Sequence, residues 1–222
     1  MSTDFPQTRV AIVYYSDKGH TRVLADCIAR GAGRVSGTEV RAMDIYEADK
    51  NWDVLHESDA IVFGTPTFIG SVAAEFKAFI EKLNGPIWLD RMWTGKIAAG
   101  FTVSAGRSGD KLNCLMQLVI FAGQMGMIWV NQPLLGGNYS TAGSEEDLNR
   151  MAGYLGVMAQ ANIDEDTSVV PPESDRRTAE IHGEHIAAVT RDLVWGRQLA
   201  GQSGLAGPKF GRTGLLDAPA TT

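Results

Sequence analysis

Two hydrophobic patterns alternate along the chain. Residues 9–15, RVAIVYY, form a short run of β-branched and aromatic residues, the signature of a strand buried on both faces. Residues 21–34 then place Val23, Leu24, Cys27 and Ile28 at helical spacing, with Gly31 and Gly33 suited to the helix end. Residues 39–45 and 59–64 predict the second and third strands. Residues 73–83 predict a helix with Phe76, Phe79, Ile80 and Leu83 on one face. A fourth strand is expected over 96–103, a helix over 112–123 and a short fifth strand over 127–130. Strands separated by helices predict an α/β fold, a doubly wound parallel sheet of five strands with helices on both faces. Ligands of such sheets sit beyond the carboxyl ends of the strands. Three loops there, 16–21, 65–71 and 104–110, are rich in Gly, Ser and Thr.

Beyond Val130 the pattern changes. Residues 135–142 are Gly-rich and polar. Residues 144–160 read as helical, with Ser144 as N-cap ahead of Glu145 and Glu146. A loop over 164–172 leads to a helical pattern over 174–199 through Ile181, Ile186, Val189 and Leu193. The expected organisation is one domain over 1–200 and a Gly-rich, flexible tail over 201–222.

Composition adds bounds. With 222 residues, 44% apolar and 21% charged, the chain can bury a core without metals or disulfides. Cys27 and Cys114 fit no metal-ligand or CxxC spacing and read as small core residues. The net charge of −6 argues against a general nucleic-acid surface. No apolar run is long enough to span a membrane, and the first residues lack a signal-peptide pattern, so a cytoplasmic location is expected.

The chemistry concentrates at the first strand-to-helix loop: Ser16, Asp17, Lys18, Gly19, His20 and Thr21. A helix N-terminus offers unpaired amides and a partial positive charge, and consecutive amides can surround a phosphate. Ser16 and Thr21 add hydroxyls, and Gly19 allows close backbone approach. The Walker and GxGxxG patterns are both absent, and Asp17 lacks the acidic neighbours of a receiver domain. An ordinary capped turn is the plain alternative.

The run I-V-Y-x-S-x-x-G-x-T-x-x-x-A-x-x-I over residues 12–28 resembles the flavodoxin signature. The second loop, GTPTFIGSVAA over 64–74, is similar to the matching segment of WrbA-type NAD(P)H:quinone oxidoreductases. Phe101-Thr102 with Ser104 and Gly106, then Gly126-Met127-Ile128 and Gly183-Glu184, extend the resemblance from about Arg9 to Leu193. It implies a flavodoxin-like domain that binds FMN and takes electrons from NAD(P)H. It further implies that Pro66, Thr67, Phe68, Ile69 and Gly70 contact the ribityl chain and ring, and that Ser104, Ala105, Gly106, Arg107, Ser108 and Gly109 meet the pyrimidine edge. Arg107 would offset charge on the flavin or bind a nucleotide phosphate, with a solvated loop charge as the alternative. Trp88 falls where the family has an aromatic residue near the active-site mouth, able to stack on nicotinamide or quinone. Trp93 reads as structural, and His56 has no evident partner. The histidines that often precede Gly-Met are here Gln124 and Met125, which removes one contact to ring or quinone.

The implied reaction moves a hydride from NAD(P)H through FMN to a quinone or similar small acceptor, with no catalytic side chain required. The rival readings are a flavodoxin-like electron carrier that docks on proteins and an NAD(P)H-dependent FMN reductase that releases its flavin. The resemblance also implies a homo-oligomer, a dimer or tetramer. The insertion over 138–172, with Tyr139 and Tyr154, suits a lid or a subunit contact. His182 and His185 read as a surface pair on a helix, without a third metal ligand.

Overall fold

A computed structural model describes residues 6–203. Strand β1 (Thr8–Tyr14) leads into helix α1 (His20–Ala32), then β2 (Thr38–Asp44), short helices α2 (Ile45–Ala48) and α3 (Trp52–Glu57), and β3 (Ala60–Phe68). A two-residue strand β4 (Ser71–Val72) follows, then α4 (Ala74–Glu81), α5 (Pro86–Leu89), β5 (Ile97–Ser104) and α6 (Lys111–Gln124). The described residues close with β6 (Ile128–Trp129), β7 (Val157–Gln160) and α7 (Glu173–Gln202).

The sheet runs β2-β1-β3-β5, with β6 and β7 both paired to β5, and every pairing in it is parallel except the β3–β4 hairpin. Chain order reverses between β1 and β3, which opens a crevice above their carboxyl ends. Alternating residues of β1 serve two cores. Val10 and Ile12 face Leu24 and Ile28 of α1 and Ile186 of α7, while Ala11 and Val13 face Phe76 and Phe79 of α4 and Leu115 of α6. The sheet is therefore doubly wound, as the alternation predicts.

The fifth strand position is built from two pieces. Ile128 and Trp129 pair with Ile97 and Ala98, whereas Val157 to Gln160 pair with Phe101 to Ser104. Only Ala99 and Gly100 of β5 separate these two stretches. The intervening chain leaves the edge and returns, so the sheet has seven strands by count and five by position.

Several sequence expectations are corrected here. Residues 144–160 are not a helix: they are turns followed by β7. Asp147 accepts bonds from the amides of Asn138 and Ser144, and Asn149 and Ala152 take left-handed conformations with φ 47° and 49°. These local bonds compete with a helical ladder and the left-handed residues end it. Gly31 lies inside α1 rather than at its end; a Cβ there would meet Glu180 O at 1.8 Å, so its role is the close packing of α7 on α1. Strand β3 continues four residues past the expected Gly64, because Thr65 and Pro66 stay in register with Thr102 and Val103. Helix α7 extends through Gln202, into the first residues of the expected tail; residues 204–222 lie outside the described residues.

Candidate functional site

The first loop joins β1 to α1 at the crevice. Gly19 caps α1 with φ 90°, a left-handed conformation that glycine adopts without strain. A Cβ at Gly19 would also meet the Thr167 methyl at 2.9 Å. Ser16 Oγ accepts from the Arg22 amide at 3.3 Å, which folds the loop over the start of the helix. Thr21 is buried in the first turn. Among the described residues, none accepts a hydrogen bond from the amides of residues 17–21. This row of unused donors is the chemistry an anion requires.

The segment after β7 covers one side of that loop. Lys18 Nζ donates to Ile163 O at 3.4 Å, and His20 Nε2 lies 3.1 Å from Glu165 O. The side chains of Lys18 and His20 are thus turned toward residues 162–167, and the amides are what the loop presents. Asp17 is exposed and lines a groove of about 680 Å³ together with Tyr15, Phe68, Ile69, Glu75 and Lys77.

The second loop is the hairpin tip between β3 and β4. Ile69 and Gly70 form its two-residue turn, with φ 48° and 75°. A left-handed conformation is unusual for a β-branched residue, and Ile69 is fully solvent-exposed beside Phe68 at 44% exposure. Asn113 Nδ2 donates to Gly70 O at 2.7 Å, which ties the tip to α6. Thr67 turns its side chain into the sheet. Its hydroxyl is buried 2.7 Å from Thr102 Oγ1, which in turn donates to Thr65 O. Pro66 lies in β3 opposite Val103, inside the sheet.

The third loop, Ser104 to Asp110, is exposed and its amides are likewise unused: no described residue accepts from the amides of 105–110. Gly109 and Asp110 are both left-handed, with φ 54° and 55°. Beneath the loop lies a residue that sequence reading missed. Lys111 is fully buried, and its Nζ donates to Ser104 Oγ at 2.9 Å and to Gly106 O at 2.6 Å. Burial pushes its ammonium down to about 8, against the attraction of Asp175. A lysine at the start of a helix reads in sequence as a solvated charge, so no pattern signalled it.

Arg107 turns away from the crevice. It pairs with Glu145 of the insertion at 2.7 Å, and Glu145 also accepts from Arg150 at 2.6 Å. Arg150 forms a bidentate pair with buried Asp175, at 2.8 and 2.9 Å. Hydrogen bonds from Arg107 and Arg150 hold the Glu145 carboxyl below its usual range. The insertion therefore packs on its own third loop, through Glu145, Arg150 and Gln160, whose Nε2 donates to Ala105 O at 3.0 Å. Tyr139 is exposed, and Tyr154 accepts from the Gly136 amide just ahead of the insertion.

Trp88 is not at the mouth of the crevice. Its indole donates to Gln124 O at the far end of α6, a helix of 14 residues that begins at the third loop. At 1.5 Å per residue this is about 20 Å away. Trp93 is fully buried and bonds His56 Nδ1 at 3.0 Å, a structural role for both. His182 is not on the surface. It is fully buried with both ring nitrogens unpartnered, and burial pushes its ring down to about 3.

Two rows of free amides flank an apolar hairpin at the reversal point of a doubly wound sheet. This donor set suits a phosphate at one end and a polar ring edge at the other, which is the fit FMN requires. The class so defined is a flavodoxin-fold flavoprotein. Comparison with known proteins gives the family: residues 8–141 match the NADPH-dependent FMN reductase family, and the chain belongs to it. A relative from Pseudomonas aeruginosa, flavodoxin FldP, is 34% identical over 84% of this chain and 98% of its own. An NAD(P)H dehydrogenase (quinone) from Chromohalobacter salexigens is 30% identical over 84% of this chain and 99% of its own. The crystal structure of a WrbA-like flavodoxin from Agrobacterium tumefaciens superposes with a TM-score of 0.64 at 32% identity, covering 83% of this chain and 98% of that one.

Proposed function

We propose that the chain is an FMN-dependent oxidoreductase that takes a hydride from NAD(P)H and delivers it to a quinone or similar small acceptor. The observation that carries this reading is the pair of unused amide rows, at 17–21 and 105–110, on either side of the exposed Phe68–Gly70 tip. When bound, FMN supplies the hydride chemistry. The amides of 17–21 and the Ser16 and Thr21 hydroxyls would hold the phosphate. The hairpin tip of Phe68, Ile69 and Gly70 covers one side of the ring, and the amides of Ala105, Gly106, Arg107 and Gly109 face its pyrimidine edge. The groove of about 680 Å³ beside the tip leaves room for a planar second substrate. Quinone reductases named among the relatives support the acceptor class.

Two side chains take altered roles. Arg107 is engaged by Glu145 and reaches a nucleotide phosphate only after leaving that pair. Trp88 lies too far from its own crevice to stack on substrate there. A homo-oligomer agrees with the outer face of α6, where Leu112, Met116 and Ile120 recur every four residues and are all exposed. Among the described residues, no helix is long and apolar enough to cross a membrane.

The test is direct. Purified protein should carry or take up FMN and oxidise NADH or NADPH with a benzoquinone over many turnovers. Replacing Ser16→Ala together with Thr21→Val should weaken FMN binding about tenfold or more, through two lost bonds to a charged group. Stable FMN binding without turnover would favour the electron carrier, the reading that the FldP relative supports. Failure to bind FMN at all would overturn both.

A further inference from the structure

The third loop is exposed over residues 105–108, yet the residue that closes it underneath is a fully buried lysine. Lys111 Nζ holds the Gly106 carbonyl at 2.6 Å and the Ser104 hydroxyl at 2.9 Å. In a trans peptide the carbonyl and the following N–H point in opposite directions. Drawing the Gly106 carbonyl inward therefore turns the Arg107 amide outward, to the open side of the loop. Gln160 does the same for the preceding peptide: its Nε2 holds the Ala105 carbonyl, which turns the Gly106 amide outward. Two consecutive amides are set in this way by side chains beneath the loop.

The charges below the loop do not cancel. Lys111, Arg150 and Arg107 face Asp175 and Glu145, which leaves one excess positive charge. The exposed Arg107–Glu145 pair is screened by solvent, but Lys111 is not. A hydride brings two electrons and one proton, so a ring that receives it gains one unit of negative charge. A buried ammonium directly under the loop favours that charged form over the oxidised one.

From this geometry we infer that Lys111 is a positioning residue for the redox reaction: it fixes the outward amides of the third loop and raises the potential of the bound flavin. The inference rests on the FMN reading above. It adds a residue that binds neither cofactor nor substrate directly.

The experiment compares wild-type protein with Lys111→Met, an apolar side chain of similar length that leaves the Arg150–Asp175 pair intact. FMN titration of apo-protein gives the affinity for the oxidised cofactor. Equilibration of the holo-protein with redox dyes gives the midpoint potential. The variant should bind oxidised FMN within about threefold of wild type. It should lose about tenfold in affinity for reduced relative to oxidised FMN, a fall of about 30 mV for a two-electron couple. Equal weakening of both forms, with the potential unmoved, would mean a merely structural lysine and would overturn the inference. Wild-type protein that takes up no FMN would instead overturn the reading of the loops.

Should Lys111→Met fail to fold, the wild-type holo-protein supplies a second measurement. Above about pH 8 the ammonium is held only when the ring is reduced. The groups that face it are Asp175 from α7, whose carboxyl burial pushes up, and Arg150 from the insertion, paired with it. A tenfold preference of the reduced form for the ammonium raises the Lys111 value by about one unit on reduction, so reduction then takes up about half an additional proton and the slope of potential against pH should steepen by about half between pH 8 and 9. An unchanged slope would overturn the inference.

Discussion

His182 places an imidazole where nothing bonds to it. Both nitrogens are unpartnered and the ring is fully buried, so it stays neutral in the fold well below the pH at which it would protonate in the unfolded chain. The folded value, about 3, lies below the unfolded 6.5. Between the two, the unfolded chain binds the additional proton, and stability falls as pH falls. From pH 6.5 to 5 the loss is about 2 kcal/mol, at 1.36 kcal/mol per unit. Urea melts of His182→Leu should lack this acid-side loss; an unchanged pH dependence would assign the loss to other groups. In the sequence His182 reads as a surface residue because His185 lies one turn away, and a polar pair on a helix suggests water. Single-residue patterns were most legible where the path of the chain alone sets the position. Ser16, Gly19 and Thr21 could be placed because a strand, a loop and a helix start are local features, and their amides follow from the chain path. Lys111 was not legible, since its burial and its bonds to Ser104 and Gly106 arise from how the loop folds back over the helix start and follow no periodic pattern. The same holds for Arg107, whose partner Glu145 comes from the insertion.

At the level of elements, the first half of the insertion shows how a helical pattern is overridden. Ser144 does accept from the Glu146 amide as a cap would, but Asp147 takes up the amides of Asn138 and Ser144, and Asn149 donates to Leu134 O. Side chains that a helix would leave in solvent are drawn into tertiary bonds, and the segment follows them. Of its ion pairs, the buried one decides. The Arg150 and Asp175 side chains are 3% and 2% exposed, so Arg150→Met leaves a carboxylate without its partner and should cost about 3–5 kcal/mol in a chemical melt. The Arg107–Glu145 pair is open to solvent, and Arg107→Ala should cost under about 1 kcal/mol in the same melt. Equal costs would show that the two pairs work as one network. The long regular elements fared better: α1, α4, α6 and α7 are found within a few residues of their patterns, because each buries one continuous apolar stripe.

For the whole molecule, the sheet order and the crevice could be read from the alternation of strands and helices, but the broken fifth strand could not. Met127–Val130 looked like a complete short strand, and nothing local announces that residues 157–160 rejoin the same position. Their register is exact enough to count. If Ile128 and Trp129 sit opposite Ile97 and Ala98, then Val130 and Asn131 would stand opposite Ala99 and Gly100, and Val157 already stands opposite Phe101. Joining Asn131 directly to Val157 should therefore restore one continuous strand. The excision also removes Arg150, so it should fold only with Asp175→Leu, as judged by far-UV circular dichroism and a cooperative melt. Folding without that second change would show that Asp175 tolerates its burial alone.

The break has a consequence for how the protein meets its own copies. An outer strand with unspent backbone donors and acceptors invites another chain to add to the sheet. Here the outermost position is divided into pieces of two and four residues, with a folded protrusion between them. Neither piece is long enough to template a partner. The rejoined variant would offer eight residues in a row, a second long outer strand to match the seven residues of β2 at the opposite side of the sheet, and with it a sheet open to addition from both sides.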